Sequence, residues 1–109
     1  MENFNKLTNA QTERLAKLAE ECGEVVHVIG KILRHGYDSS NPNDGTYKDN
    51  REQLEAELGD LSAAIRWMIE AGDFSCSSYA EYYNWAVERG MAYAHHQDAD
   101  HGKDHAPSS

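Results

Sequence analysis

Two long runs of apolar residues, each recurring at steps of three and four, constrain this chain more than any other feature. Leu15, Leu18, Cys22, Val25, Ile29, Ile32 and Leu33 recur this way through about 8–35, and Leu54, Leu58, Leu61, Ile65, Met68 and Ile69 through about 49–71. An α-helix turns once in roughly 3.6 residues, so each set lines one face of a long helix. No alternating strand pattern competes. Thr8-Asn9-Ala10-Gln11 can close a capping box at the start of the first helix, and Gly36 follows its last apolar residues. Gly72 offers a stop for the second. Between them, His35 to Gly45 is dense in turn formers, so the chain reverses and the two helices pack antiparallel. A third helix is predicted over about 78–94, opened by the capping box Ser78-Tyr79-Ala80-Glu81 and carrying Tyr82, Tyr83, Trp85, Ala86 and Val87. Its aromatic content calls for a larger surface to pack on.

The expected fold class is therefore all-α, an antiparallel helical bundle. A chain of 109 residues is one domain with one core. Two amphipathic helices and a Tyr-rich one expose more apolar surface than so short a chain can cover, which predicts completion by homo-oligomerisation as a homodimer or homotetramer. The domain is expected to run over 1–94. A His/Asp-rich tail without apolar periodicity, 95–109, is expected to be mobile. Cys22 lies on the apolar stripe and should be a buried thiol, and with Cys76 it makes no metal-ligand spacing.

Charge and hydropathy exclude several function classes. A formal net charge of -9 disfavours nucleic acid, whose phosphates are held by concentrated Lys and Arg. No apolar run approaches membrane-spanning length, and Met1-Glu2-Asn3-Phe4-Asn5-Lys6 has neither the basic start nor the apolar stretch of a signal peptide, so a cytoplasmic location is expected. His95, His96, His101 and His105 match no compact zinc motif, and no G-x-G-x-x-G, P-loop or nucleophile elbow is present.

Four acids carry the chemistry. Glu21 with Glu24, and Glu57 with Asp60, are each three residues apart, which places each pair on one helix face. Glu21 and Glu24 fall roughly 70° and 130° to one side of the first apolar stripe, and Glu57 and Asp60 repeat those offsets in the same sense on the second. In an antiparallel pair such offsets point either toward each other or both away. Only convergence builds a site, and converging carboxylates are hard ligands suited to Mg²⁺. Gly23 and Gly59 sit beside the acids, where glycine weakens a helix unless close approach or ligand access requires it.

Glu20-Glu21-Cys22-Gly23-Glu24 followed by Glu57-Leu58-Gly59-Asp60 resembles the E-E-x-x-E and E-x-x-D signature of the MazG-like all-α nucleoside triphosphate pyrophosphohydrolases. The resemblance covers about 15–68. It implies an enzyme that splits a nucleoside triphosphate between the α and β phosphates, giving the monophosphate and pyrophosphate, with Mg²⁺ required and Mn²⁺ as a possible substitute. Glu21, Glu24, Glu57 and Asp60 then correspond to the metal-coordinating carboxylates and Glu20 to the remaining motif acid. Metals held there would bridge the phosphates and activate water, with Glu20 orienting that water or serving a second metal.

Further residues flank the acids at helical spacing. Lys31 lies two turns beyond Glu24 and Arg34 one turn further, within reach of a phosphate, although cations near a helix C-terminus also suit its dipole. Asn50 lies two turns before Glu57 and Trp67 two turns after Asp60, an amide and an aromatic plate able to read or stack on a base, unless Trp67 belongs to core or interface. Two other functions fit the same residues. One is phosphoribosyl-ATP pyrophosphohydrolase, with the loop 36–48 helping to set the substrate. The other is a non-catalytic helical adaptor whose acids merely solubilise it or meet a basic partner.

Overall fold

The computed structural model describes residues 3–41, 43, 48–90, 92 and 94–97, and among them it contains helices and no strand. The helices are α1 (Asn9–His35), α2 (Asn50–Glu70) and α3 (Cys76–Arg89). The all-α expectation holds. None of the helices is long and apolar enough to cross a membrane.

Local chemistry accounts for the bounds of α1 and α2. Thr8 Oγ1 accepts the Gln11 N–H at 3.0 Å while the Thr8 N–H donates to Gln11 Oε1 at 2.8 Å, the reciprocal box read from the sequence. Asp49 and Glu52 form the same arrangement at the start of α2. At the end of α1, Gly36 takes φ 88°, where a side chain would be strained. At the end of α2, Gly72 takes φ 79°; its N–H donates to Ile69 O and that of Asp73 to Met68 O, both at 3.0 Å. These two bonds are a Schellman stop.

Cross-links fix the two helices antiparallel. At one end, the Asn50 side-chain amide donates to Gly36 O at 3.0 Å, and the Asn50 and Arg51 N–H groups donate to Ser39 O and Tyr37 O at 2.9 Å. Arg51 also lies over the Tyr37 ring, 4.8 Å from its centroid. At the other end, Arg14 grips Asp73 through two bonds of 2.6 and 2.9 Å. The start of α1 thus meets the end of α2, and the reverse.

The buried core is small, namely Val28, Ala64 and Met68 with partly covered Leu18, Val25, Ile32, Leu54, Leu61, Ile65 and Ile69. The expectation of one buried apolar face on α1 is corrected here. Leu15, Cys22 and Ile29 are exposed and Leu33 is 82% exposed, as is Leu58 of α2 in part. The apolar arc of each helix is wider than one helical neighbour can cover, so the seam takes one side of it. Cys22, expected buried, falls on the uncovered side.

Two compact units divide the chain, Met1–Phe74 and Ser75–Ser109. In the second, α3 starts earlier than the predicted 78 because Ser75 is the cap, its Oγ accepting the Ser78 N–H at 3.2 Å. It also stops earlier than 94, since Gly90 turns to φ 55°. No residue of α3 is buried, and Tyr82 meets Trp85 edge to face at 5.3 Å. Of the tail 95–109, all beyond 97 lies outside the described residues.

Candidate metal centre

Two columns of residues at seven-residue spacing run along the α1–α2 seam. Arg14, Glu21 and Val28 face α2 from α1, and Asn50, Glu57 and Ala64 face α1 from α2, because seven residues return a helix almost to the same direction. Each column thus carries two polar residues and one apolar residue along the contact. Glu21 is the clearest case, at 4% exposure. It lies within the seam, deeper than the flank position its offset from the apolar stripe predicts, for the reason that leaves Leu15 and Ile29 uncovered.

One carboxylate oxygen from each of Glu21, Glu57 and Asp60 lies within 4.8 Å of the others. Burial grades across the three, from Glu21 inside through half-buried Glu57 to exposed Asp60, so the group opens to solvent on one side. Glu21 Oε1 receives a bond from Lys17 Nζ at 3.0 Å, but Glu21 Oε2 is buried with no hydrogen-bond partner among the described residues. A buried carboxylate oxygen left unmet is costly, and a hard cation resolves that cost. The residues thus fit a divalent metal: three oxygen donors, close together, one of them lacking a partner.

Charge crowding is visible in Glu57. Burial raises its carboxyl above the ordinary range, and the charges of Glu24, Asp60 and Glu21 push the same way, against a smaller opposing effect of Lys48. Lys17 is shifted upward as well, which for an ammonium favours the charged form. Its ammonium is held above the usual lysine range by the bond to Glu21 and then by the charges of Glu20, Glu21 and Asp60.

The other sequence-derived positions are distributed around this cluster. Glu24 is exposed and outside the 4.8 Å group, yet it is the strongest charge acting on Glu57. The Glu20 side chain is 63% exposed and 4.0 Å from Lys17 Nζ. Lys31, Arg34 and Asn50 come together with His35, Ser39 and Ser40 around a cavity of about 360 Å³ at the α1–α2 turn. Lys31 Nζ donates to Gln53 Oε1 at 3.0 Å. Trp67 is 51% exposed and does not line that cavity. Beside Gly23 and Gly59 a Cβ would meet open space, so neither glycine marks a close helix approach among the described residues.

Sequence reasoning passed over Lys17, although a lysine four residues before Glu21 is the ordinary spacing of a helical ion pair. His35, the last residue of α1 and four residues after Lys31, was also passed over, whereas Ser39 had no signal to find, because turn residues carry no periodicity.

Comparison with curated proteins and with solved structures gave no match. The family model described as "MazG nucleotide pyrophosphohydrolase domain" matches residues 9–81, which takes in both carboxylate pairs. With two thirds of its length aligned to that model and its acids gathered between two antiparallel helices, the chain belongs to the MazG nucleotide pyrophosphohydrolase family.

Proposed function

We propose that the chain is a Mg²⁺-dependent hydrolase that splits a nucleoside or deoxynucleoside triphosphate between its α and β phosphates, releasing the monophosphate and pyrophosphate. The observation that carries this reading is the approach of Glu21, Glu57 and Asp60 around a buried oxygen that has no partner. Glu21, Glu57, Asp60 and, from the rim, Glu24 would hold the metal. When bound, Mg²⁺ supplies charge neutralisation at the phosphate oxygens and lowers the pKa of water. Mn²⁺ has the ligand preferences to replace it.

The remaining residues bind and orient. Lys17 holds Glu21 through one oxygen, which fixes the carboxylate in the seam. Glu20, solvent-facing beside Lys17, is assigned to orient the attacking water. Lys31, Arg34, Asn50 and Trp67 are assigned to the substrate. The uncovered face bearing Leu15, Ile29, Leu33 and Leu58 is assigned to a second copy of the chain, in a homodimer or homotetramer.

The test is incubation of the protein with NTPs and dNTPs plus Mg²⁺, followed by chromatography. Monophosphate and pyrophosphate in equal amounts, lost when Mg²⁺ is chelated, are the expected products. Diphosphate with orthophosphate, or no turnover and no calorimetric Mg²⁺ binding, would defeat the proposal, the latter in favour of an adaptor.

A further inference from the structure

We infer that the groove along the α1–α2 pair has a direction: the pyrophosphate half of the substrate lies in the cavity at the α1–α2 turn, and the nucleoside half runs the opposite way, toward Trp67. This rests on the pyrophosphohydrolase reading and adds to it which way the substrate lies.

The flank comes first. Measured from Glu21, Glu24 and Lys31 fall roughly 60° and 80° around α1; measured from Glu57, Asp60 and Trp67 fall at roughly the same angles in the same sense around α2. In antiparallel helices, equal angles of one sense open on one side of the pair. The Lys31–Gln53 bond, which crosses the seam there, agrees. Acids, cavity and indole therefore share a flank, with the acids between the other two.

The two ends differ in chemistry. The cavity is lined by the basic side chains of Lys31 and Arg34, by His35 and by neutral Ser and Asn side chains, with no carboxylate among its described lining. Gln53 sets the Lys31 ammonium about one helical turn, or ~5.4 Å, from the level of Glu57. Lys48, whose charge acts on Glu57, precedes α2 at this same end. An uncharged base has no use for this concentration of positive charge, whereas a pyrophosphate carries several negative charges that it would meet directly. Toward the other end, Lys17 is engaged by Glu20 and Glu21, and the half-exposed indole of Trp67 offers an apolar plate of the kind on which bases stack.

Separate titration of the two products decides the direction without requiring turnover. In calorimetry of the full chain with Mg²⁺, Lys31→Met and Arg34→Gln are each expected to weaken inorganic pyrophosphate about tenfold while leaving a nucleoside monophosphate within about twofold. Lys31→Arg should retain most of the pyrophosphate affinity. Trp67→Ala should do the reverse, weakening the monophosphate and sparing pyrophosphate. Arg34 is exposed, so Arg34→Gln carries the test even if Lys31→Met fails to fold. Cation variants that weaken the monophosphate and spare pyrophosphate, or that change neither, would overturn the assigned direction while leaving the hydrolase intact. Wild-type protein that binds neither product would overturn both.

Discussion

The middle and the ends of the α1–α2 pair are built on opposite terms. At the ends, polar groups find partners: Asn50 closes on Gly36 O, Arg14 takes Asp73 through two bonds, and caps or glycine stops complete both helices. In the middle, carboxylates crowd one another, a buried Glu21 oxygen lacks a partner and two glycines interrupt good helix formers. The ends hold in place a centre that by itself favours separation. This division is common at functional sites, where local stability is given up for a geometry that a ligand completes.

The largest expected effect is at the centre and is functional. Glu21→Gln keeps the volume but removes a charged donor, so Mg²⁺ affinity measured by calorimetry should fall at least about a hundredfold, the upper end of what loss of an outer-sphere partner costs. Stability should hardly change. An end behaves the other way: Asn50→Ala leaves Gly36 O without its side-chain donor and should lower unfolding free energy by about 1–3 kcal/mol in urea titration. Asn50 is 4% exposed, so water cannot readily replace it.

A smaller gain is expected beside the acids. Gly59→Ala enters open space on a helix and should stabilise by about 0.5–1 kcal/mol, measured the same way. A fall in nucleotide binding in that variant would mean that the substrate uses the space. The subtlest contrast is in pH dependence. Glu57 has its carboxyl raised by burial and then by neighbouring acids, so the native state holds its proton more tightly than the unfolded chain does. Its contribution to stability is present below the unfolded pKa and is lost as pH rises through the folded value. Asp73 is lowered by the bond from Arg14, so its contribution is present above the unfolded pKa and is lost as pH falls through the folded value. In melting curves of the metal-free protein across the acid range, Glu57→Gln should remove the first trend and Asp73→Asn the second. Identical pH profiles for the two variants would dissolve the distinction between centre and ends.

How legible each part was follows from the range of the forces involved. The start of α1 could be read because Thr8 with Gln11 acts across one turn, whereas the equally local Asp49–Glu52 box at the start of α2 was passed over and that start followed from the apolar stripe. The start of α3 was misread by the same logic: Ser75 and Ser78 are both capable caps, and the earlier one is used. Each acidic pair could be placed on one face of its own helix from spacing alone, with convergence left open, and Glu21, Glu57 and Asp60 do meet. Their depth could not. An apolar stripe reports which side of a helix avoids water, but Leu15, Cys22 and Ile29 lost the seam to Glu21 and Val28 because only one helix was there to receive them. The cavity around Lys31, Arg34 and Asn50 was half legible, since its cations follow helical spacing while Ser39 and Ser40 arrive from the turn.

By itself the sequence determined the helices, their reversal between Gly36 and Asp49, and the side of its own helix on which each acidic pair falls, all consequences of interactions within a few residues of chain. Tertiary structure alone decided which arc of α1 met α2, and with it the burial of Glu21, the partnerless oxygen and the grouping of three carboxylates. The reason is physical: a helix's own periodicity sets directions around one axis, but only a second axis, at a definite rotation and height, turns a direction into a distance.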